Sequence, residues 1–365
     1  FLPTRRSSDL FPQPKGWDGY YFNPIRNFNG QAGGLGKFST HSDRYEGSLD
    51  ESGSIRIKYP LQEPDLLTSA RYTIEGEVVD QNRRRIAGQK QVIVYRGKYL
   101  VGVKPRSFFG QKNDNYPIDV ITLHHDGKAI SSQKVNIKII QRNWHSVKKA
   151  GTGGRYFWRT EIADSTVAEH TVTTGSKPVT YNFKPEESGY YLLRASSTDA
   201  RGNTIVADCS FYILGNDYVA WSREDDDRIE LERNKDSYMP GETATILIKS
   251  PFEAATALIT VEREGIIDHF YREVVGSTPT IEIPIRDIYL PNVYVSVMLI
   301  QGRLGNDMYS ETGEDIGKPA FKLGYINLPV ETGLKRMAVE INTDKQVYRP
   351  GEIVTVNLKA LNASG

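Results

Sequence analysis

A single cysteine, Cys209, stands in the 365-residue chain, so no internal disulfide can form and no cysteine-based structural zinc site can be built. The domains have to stand on their hydrophobic cores. A charge excess of either sign is missing as well: 46 Lys and Arg face 45 Asp and Glu, which leaves no bulk field to gather nucleic acid or an anionic membrane. Long apolar runs are absent. The stretch from Val293 to Ile300 is interrupted by Ser296 and falls far short of the roughly 20 residues that a membrane-crossing helix needs. Helical periodicity is nowhere sustained, and a chain of this length has room for two to four domains.

The two ends carry their own signals. The chain begins at Phe1 and stops at Gly365, directly after a strand-like run, as an internal fragment would. Residues 1–10, FLPTRRSSDL, look like a translated sequencing adapter and are set aside from fold reasoning. From Phe11 to about Pro64 the sequence is rich in Gly, Asn, Pro and aromatics and reads as loops. The run GQAGGLGK at Gly30 to Lys37 is not a phosphate loop. Walker spacing needs Gly where Gln31 stands and Ser or Thr where Phe38 stands.

From Arg71 onward, short β-branched runs alternate with Asp, Asn and Gly, the signal of antiparallel strands in sandwiches. The predicted fold class is therefore all-β: tandem immunoglobulin-like antiparallel β-sandwich domains. A repeat supports it. LERNKDSYMPGETATILIKS at Leu231 to Ser250 reappears as EINTDKQVYRPGEIVTVNLKA at Glu340 to Ala360, with Tyr238 and Tyr348 110 residues apart. That period is the length of one sandwich, so each copy should open a domain. In both copies Pro and Gly follow the Tyr, as Pro240-Gly241 and Pro350-Gly351. Pro presets φ and Gly accepts a positive φ, the chemistry of the two central positions of a type II turn. A strand should follow, with Ala244, Ile246 and Ile248 on one buried face and Val354, Val356 and Leu358 on the equivalent one.

Further period-two runs at Ala257 to Val261, Ile281 to Ile285 and Val293 to Leu299 supply a core for the first copy. Upstream, the Val135 to Ile139 and Val92 to Val94 strands repeat the pattern in more diverged form. Ser188 to Gly215 reads as two final strands around an Asp199 to Asn203 turn. A polar connector follows at Asn216 to Arg228.

Taken as an ordered set, several segments resemble the bacterial branch of the alpha-2-macroglobulin family. They are Tyr238, Pro240, Gly241 and Glu242; Ser250 to Glu253 with ALITVEREGIIDH; PNVYVSVMLIQGR; PAFKLGYINLPVE; and Tyr348, Pro350, Gly351 and Glu352. The resemblance is strongest from about Arg228 onward, weaker from Tyr72 to Gly215, and absent before about Pro64. It implies strings of macroglobulin-like sandwiches carrying a protease-cleavable bait segment and often a thioester, with bait cleavage collapsing the protein around the protease. On that resemblance, residues 11–67 are the loop-rich part of a preceding truncated domain, and 68–104 are its C-terminal strands. Residues 105–215 form a macroglobulin-like sandwich, 216–227 a linker, 228–330 a bait-region-type sandwich, and 337–365 the truncated start of the next one.

The decisive chemistry of the family is not visible in this stretch. A thioester requires Gln three residues after Cys, whereas Ser210, Phe211 and Tyr212 follow Cys209. Cys209 is in phase with Ala207, Phe211 and Ile213 and reads as a small core residue. His124-His125-Asp126 reads as turn chemistry before Gly127, not as a metal site. Asp225 to Asp227 lack the alternation and Gly of a calcium loop. Trp144, Tyr156, Phe157 and Trp158 around Gly151 to Gly154 suggest either sandwich packing or a sugar-stacking or protease-facing surface. No Ser, Cys or paired carboxylate lies at a catalytic spacing from a His.

No catalytic, cofactor-binding or metal residue is therefore assigned, no cofactor is expected, and the chain is not expected to be an enzyme. The residues singled out are the structural turn motif, Tyr238, Pro240, Gly241, Glu242, Tyr348, Pro350, Gly351 and Glu352. The expected role is scaffold of a broad-spectrum endopeptidase inhibitor in the periplasm or cell envelope of a bacterium. Proteases are its expected partners, mainly through regions outside this chain. Nucleic acid is not a partner, and membrane contact is expected only through a lipid anchor elsewhere. The competing readings are a cell-surface carbohydrate-binding or adhesive sandwich array and the accessory region of an exported hydrolase.

Overall fold

The computed structural model describes residues 2–5, 14–25, 45–58, 69–79, 82, 84–150, 156–221, 226–305, 315, 317–333 and 337–362. Among these the chain forms twenty strands and no α-helix, and none of it is a helix long and apolar enough to cross a membrane. The fold is all-β, as read from the sequence. Contacts divide the chain into two units, Phe1–Lys149 with Arg159–Ser222, and Ala150–Trp158 with Arg223–Gly365.

In the first unit, β1 (Leu2–Arg5), β2 (Ala70–Val79) and β3 (Arg85–Val94) form an antiparallel sheet in that order. Leu2–Arg5, inside the segment set aside above, pairs with Glu75 to Tyr72. The strands that follow are β4 (Leu100–Pro105), β5 (Phe109–Gln111), β6 (Tyr116–Leu123), β7 (Lys134–Ala150), β8 (Tyr156–Thr173), β9 (Val179–Phe183), β10 (Gly189–Thr198) and β11 (Thr204–Leu214). They form two sheets, β4-β6-β9 and β5-β11-β10-β7-β8. Alternate side chains from both, including Val101, Val103, Ile118 and Val120 on one and Ile137, Leu193, Cys209 and Phe211 on the other, close a single core. The β10–β11 hairpin turns at Asp199, whose Oδ1 accepts the N–H of Arg201 and of Asn203.

Two features differ from the boundaries read from the sequence. A break at 104/105 falls inside β4, which pairs with β6 from Leu100↔Leu123 to Pro105↔Ile118. The reason is that Tyr99, Val101 and Val103 point into the sandwich core. Likewise, residues 14–25 do not belong to a separate preceding domain. Tyr21 exchanges both backbone bonds with Val103, at 2.8 and 3.0 Å, and Trp17 Nε1 donates to the Gly127 carbonyl at 2.8 Å. Tyr20 and Phe22 pack with Ile121 and Leu123. Gly102 makes room for them, because a Cβ there would lie 2.5 Å from the Phe22 ring. At the other edge of the sandwich, Asn23 accepts the Asp208 N–H at 3.1 Å, and Ile25 donates to Asp208 Oδ2 at 3.0 Å. This strap therefore joins the free edge of β4 to the part of β11 that β5 does not cover, groups that would otherwise be open to foreign strands.

In the second unit, β12 (Leu231–Arg233), β13 (Thr243–Ile248), β14 (Ala254–Glu262), β15 (Ile266–Val275), β16 (Thr280–Pro284), β17 (Asn292–Gln301) and β18 (Ala320–Pro329) make sheets β12-β13-β16 and β15-β14-β17-β18. Ala244, Ile246, Ile248, Ile281 and Ile283 on the first face Ala257, Ile259, Val293, Val295, Val297 and Leu299 on the second. The remaining strands, β19 (Ala338–Thr343) and β20 (Val356–Leu361), form a two-stranded sheet of their own among the described residues. Here the expected buried face of Val354, Val356 and Leu358 is instead exposed. Alternation puts these residues on one face, but among the described residues no second sheet covers it.

Candidate functional site

The residues singled out by the repeat occupy two turn cradles with the same wiring. In the first, Glu242 N donates to the Met239 carbonyl at 3.1 Å, closing a turn with Pro240 second and Gly241 third. Gly241 has φ +92°, the conformation that the third position of a type II turn requires. Its surroundings are open, so glycine is selected by backbone conformation and not by crowding. Glu242 folds back over the turn, with Oε2 accepting the Met239 N–H at 3.0 Å and Oε1 accepting from Lys235 Nζ at 2.8 Å. The Lys235 bond, then the Met239 N–H, hold its carboxyl below the usual range. Both oxygens are engaged, so this carboxylate anchors the turn and is not poised as a base.

Tyr238 lies fully buried beneath this turn, its hydroxyl donating to Asn234 Oδ1 at 2.8 Å. The same Asn234 oxygen accepts the Thr245 N–H at 2.9 Å. Along the backbone, Tyr238 bonds Pro329 and Glu331, and Gly241 bonds Ile285. The cradle thus ties the entry of β13 to the ends of β16 and β18.

The second cradle repeats the bonds. Tyr348 donates to Asp344 Oδ1 at 2.8 Å, which accepts the Thr355 N–H at 2.8 Å. Glu352 Oε2 accepts the Arg349 N–H at 3.1 Å, and Gly351 has φ +90°. Lys345 lies 3.5 Å from Glu352. The strand registers match too: Arg233↔Ile246 and Thr343↔Val356 are equivalent pairs. Asn234, Lys235 and Thr245, with Asp344, Lys345 and Thr355, belong to the motif although only the Tyr, Pro, Gly and Glu positions were singled out from the sequence. The signal was present, since all three pairs share the spacing of the tyrosines.

The other candidates fall into structural roles. Cys209 is buried in the first core, and that burial, reinforced by Asp208, pushes its thiol pKa far up. An unreactive thiol follows. His124 accepts the Gly127 N–H and donates to Lys128, closing a hairpin turn, while His125 stacks on Tyr95 at 3.6 Å. Asp225 lies outside the described residues. Asp226 Oδ1 accepts the Arg228 N–H at 3.0 Å, and the Asp227 carbonyl accepts from Leu323 at 2.7 Å. No metal-holding cluster of His, Cys, Asp and Glu occurs among the described residues. Trp144 packs against Tyr190 and Trp221, while the side chains of Tyr156, Phe157 and Trp158 lie outside the described residues.

One buried pair was not anticipated. Arg194 makes two bonds to Asp208, at 2.9 and 2.8 Å. Burial pushes the Asp208 carboxyl up, and the guanidinium and the Ile25 N–H oppose it. The pair secures the strap on β11, because the same Asp208 Oδ2 accepts the Ile25 N–H.

Comparison with known proteins places these elements. Residues 102–214 match the family described as bacterial macroglobulin domain 6, and residues 229–364 match the alpha-2-macroglobulin bait region domain. An alpha-2-macroglobulin homolog of Nostoc sp. is 25% identical over 367 aligned residues, covering 100% of this chain and 19% of its own length. A Yersinia pestis homolog is 21% identical over 327 residues, covering 87% of this chain and 16% of its own length. The chain thus spans about a fifth or less of the length of these relatives. Among solved structures, the native conformation of Escherichia coli alpha-2-macroglobulin aligns over 100% of this chain and 22% of its own, with 17% identity and a TM-score of 0.41. With two successive sandwich regions matching two domain families of one protein type, in order and with relatives aligned along the whole chain, the protein belongs to the bacterial alpha-2-macroglobulin family.

Proposed function

We propose that the chain is scaffold of a protease trap: a run of sandwiches, each a rigid unit, within a broad-spectrum endopeptidase inhibitor of the bacterial periplasm or cell envelope. The observation that carries this reading is the order of the two matched domain families, a macroglobulin domain followed by a bait region domain. The physical properties suit the role. The described residues form β-sandwich cores and tied turns, with engaged carboxylates and a buried thiol in place of reactive groups. Units of this kind transmit displacement as whole bodies, so that a cut elsewhere in the longer protein can become a rearrangement of domains. The sandwich of β4 to β11 with its strap, and residues 228–330, serve as the successive sandwich domains, with 337–365 leading into another.

The test compares this chain with the longer protein that contains it, each incubated with a broad-specificity serine protease at increasing molar ratio. The longer protein should reduce cleavage of a large protein substrate after being cut itself, and this chain should leave the protease fully active. Stoichiometric inhibition by the chain alone would place an inhibitory loop within these residues and overturn the scaffold reading.

A further inference from the structure

The larger sheet of the second unit, β15-β14-β17-β18, ends in two unlike edges. At β18 the chain before β12 lies alongside, where Leu323 donates to the Asp227 carbonyl at 2.7 Å and accepts the Ile229 N–H at 3.0 Å. At β15, among the described residues, no strand lies beyond. The edge is also apolar: Tyr271 is 66% and Val275 73% exposed. The His269 N–H donates to Asp268 Oδ1 of its own strand at 2.9 Å, so His269 turns its backbone away from β14. By alternation Tyr271 and Glu273 turn the same way. A long, apolar open edge of this kind is a template for a further strand.

The sequence of β15 fits a copy of itself. With two copies antiparallel about a two-fold axis at Tyr271, the tyrosines face each other, and each His269 faces the Glu273 of the other copy. Both flanking pairs then set an imidazole opposite a carboxylate, around a central aromatic pair. Moving the axis to Arg272 would oppose two guanidiniums. Moving it to Phe270 would set Glu273 against Ile267, the residue left over where the β14 register shifts. The outer face agrees with an axis at Tyr271. Tyr271 lies opposite Leu258, Leu258 opposite Met298, and Met298 opposite Leu323. This apolar row crosses the whole sheet and would run on through the axis.

We propose that β15 is a docking edge for a second copy of this chain, paired antiparallel about Tyr271. Pairing replaces the Asp268 cap on His269 with the Glu273 carbonyl of the other copy. An interface of one strand a side is far smaller than the roughly 20–30 residues a side of a standard interface, so the dimer is weak and forms as concentration rises. It rests on this edge alone and is independent of the protease-trap reading.

The experiment sediments the full chain between micromolar and millimolar concentration. Monomer should give way to dimer, and amide exchange at Tyr271 and Glu273 should slow as it does. Tyr271→Lys, which sets two like charges on the axis at an exposed position, should leave melting unchanged and abolish the dimer. Glu273→Lys should weaken the dimer about tenfold. Adding His269→Glu should restore it, because the proposed register puts these two positions opposite each other. Leu358→Lys, on the exposed face of β20, is the control and should change nothing. Three results would overturn the docking edge: a chain that stays monomeric throughout, a dimer removed by Leu358→Lys and not by Tyr271→Lys, or a charge exchange without rescue.

Discussion

In the first copy of the repeat, Ile246 and Ile248 are fully buried beneath β14 and β17, whereas Val356 and Leu358, their equivalents in the second, are 52% and 65% exposed. The turn, the Asn or Asp cap and the Lys–Glu pair are nonetheless the same in both. The cradle is thus a local device. The side-chain hydrogen bonds that both copies share reach no further than eleven residues along the chain and set the hairpin register, while burial of the strand that follows depends on a second sheet. Local wiring and core packing contribute separately, and single substitutions can distinguish them.

The largest difference between the copies should come from the core. Ile246→Ala removes a fully enclosed side chain and should destabilise the second unit by about 2–5 kcal/mol in urea unfolding. Val356→Ala, at the same register, should change it by less than about 0.5 kcal/mol. Equal losses would mean that the two hairpins are packed alike.

Backbone strain should give an intermediate effect. Gly241→Val forces a β-branched residue into a positive φ, at roughly 1–3 kcal/mol. Because Gly241 and Glu242 are bonded to Ile285, that loss should appear in the main transition of the second unit. Gly351→Val carries the same strain and should appear only as faster amide exchange over β19 and β20. A shift of the main transition by Gly351→Val would show that the second hairpin is coupled to the sandwich.

The smallest effect separates the caps by charge. The Tyr348 hydroxyl, then the Thr355 N–H, hold the Asp344 carboxyl below its ordinary value. A depressed folded value means that its contribution is complete above the unfolded pKa of about 4 and is lost as pH falls through the lower folded value. Asn234 does not titrate at the equivalent position. Acidification below pH 4 should therefore speed exchange of the Thr355 amide more than that of Thr245. Asp344→Asn should remove the difference, and an unchanged difference in that variant would assign it to Glu352 or another carboxylate.

The repeat was legible because its residues act on near neighbours. Spacing alone relates Tyr238 to Tyr348, and Pro followed by Gly specifies the turn chemistry. The core strands of the second unit were legible through alternation, as at Val293, Val295, Val297 and Leu299. Alternation did not say whether a face is covered, which is why Val356 and Leu358 read as buried. Other features were hidden because they rest on few, distant contacts. Tyr21 meets Val103 through two backbone bonds, Asn23 and Ile25 meet Asp208, and Asp217 meets Lys112 across 105 residues. No periodicity marks such pairs.

The strap from Trp17 to Ile25 has a consequence for how the sandwich behaves when handled by itself. The matched domain family begins at residue 102, yet the strands at that point depend on backbone partners about eighty residues earlier. A recombinant piece cut at the family boundary would lose the first residues of β4 and bare the N–H and carbonyl of Val103 on that strand and the N–H of Asp208 on β11. Unmet amides and carbonyls along two strands are a template for aggregation. Soluble expression of this domain therefore calls for a starting point before Trp17, and a peptide carrying Trp17 to Ile25, supplied in trans, should act as its solubiliser.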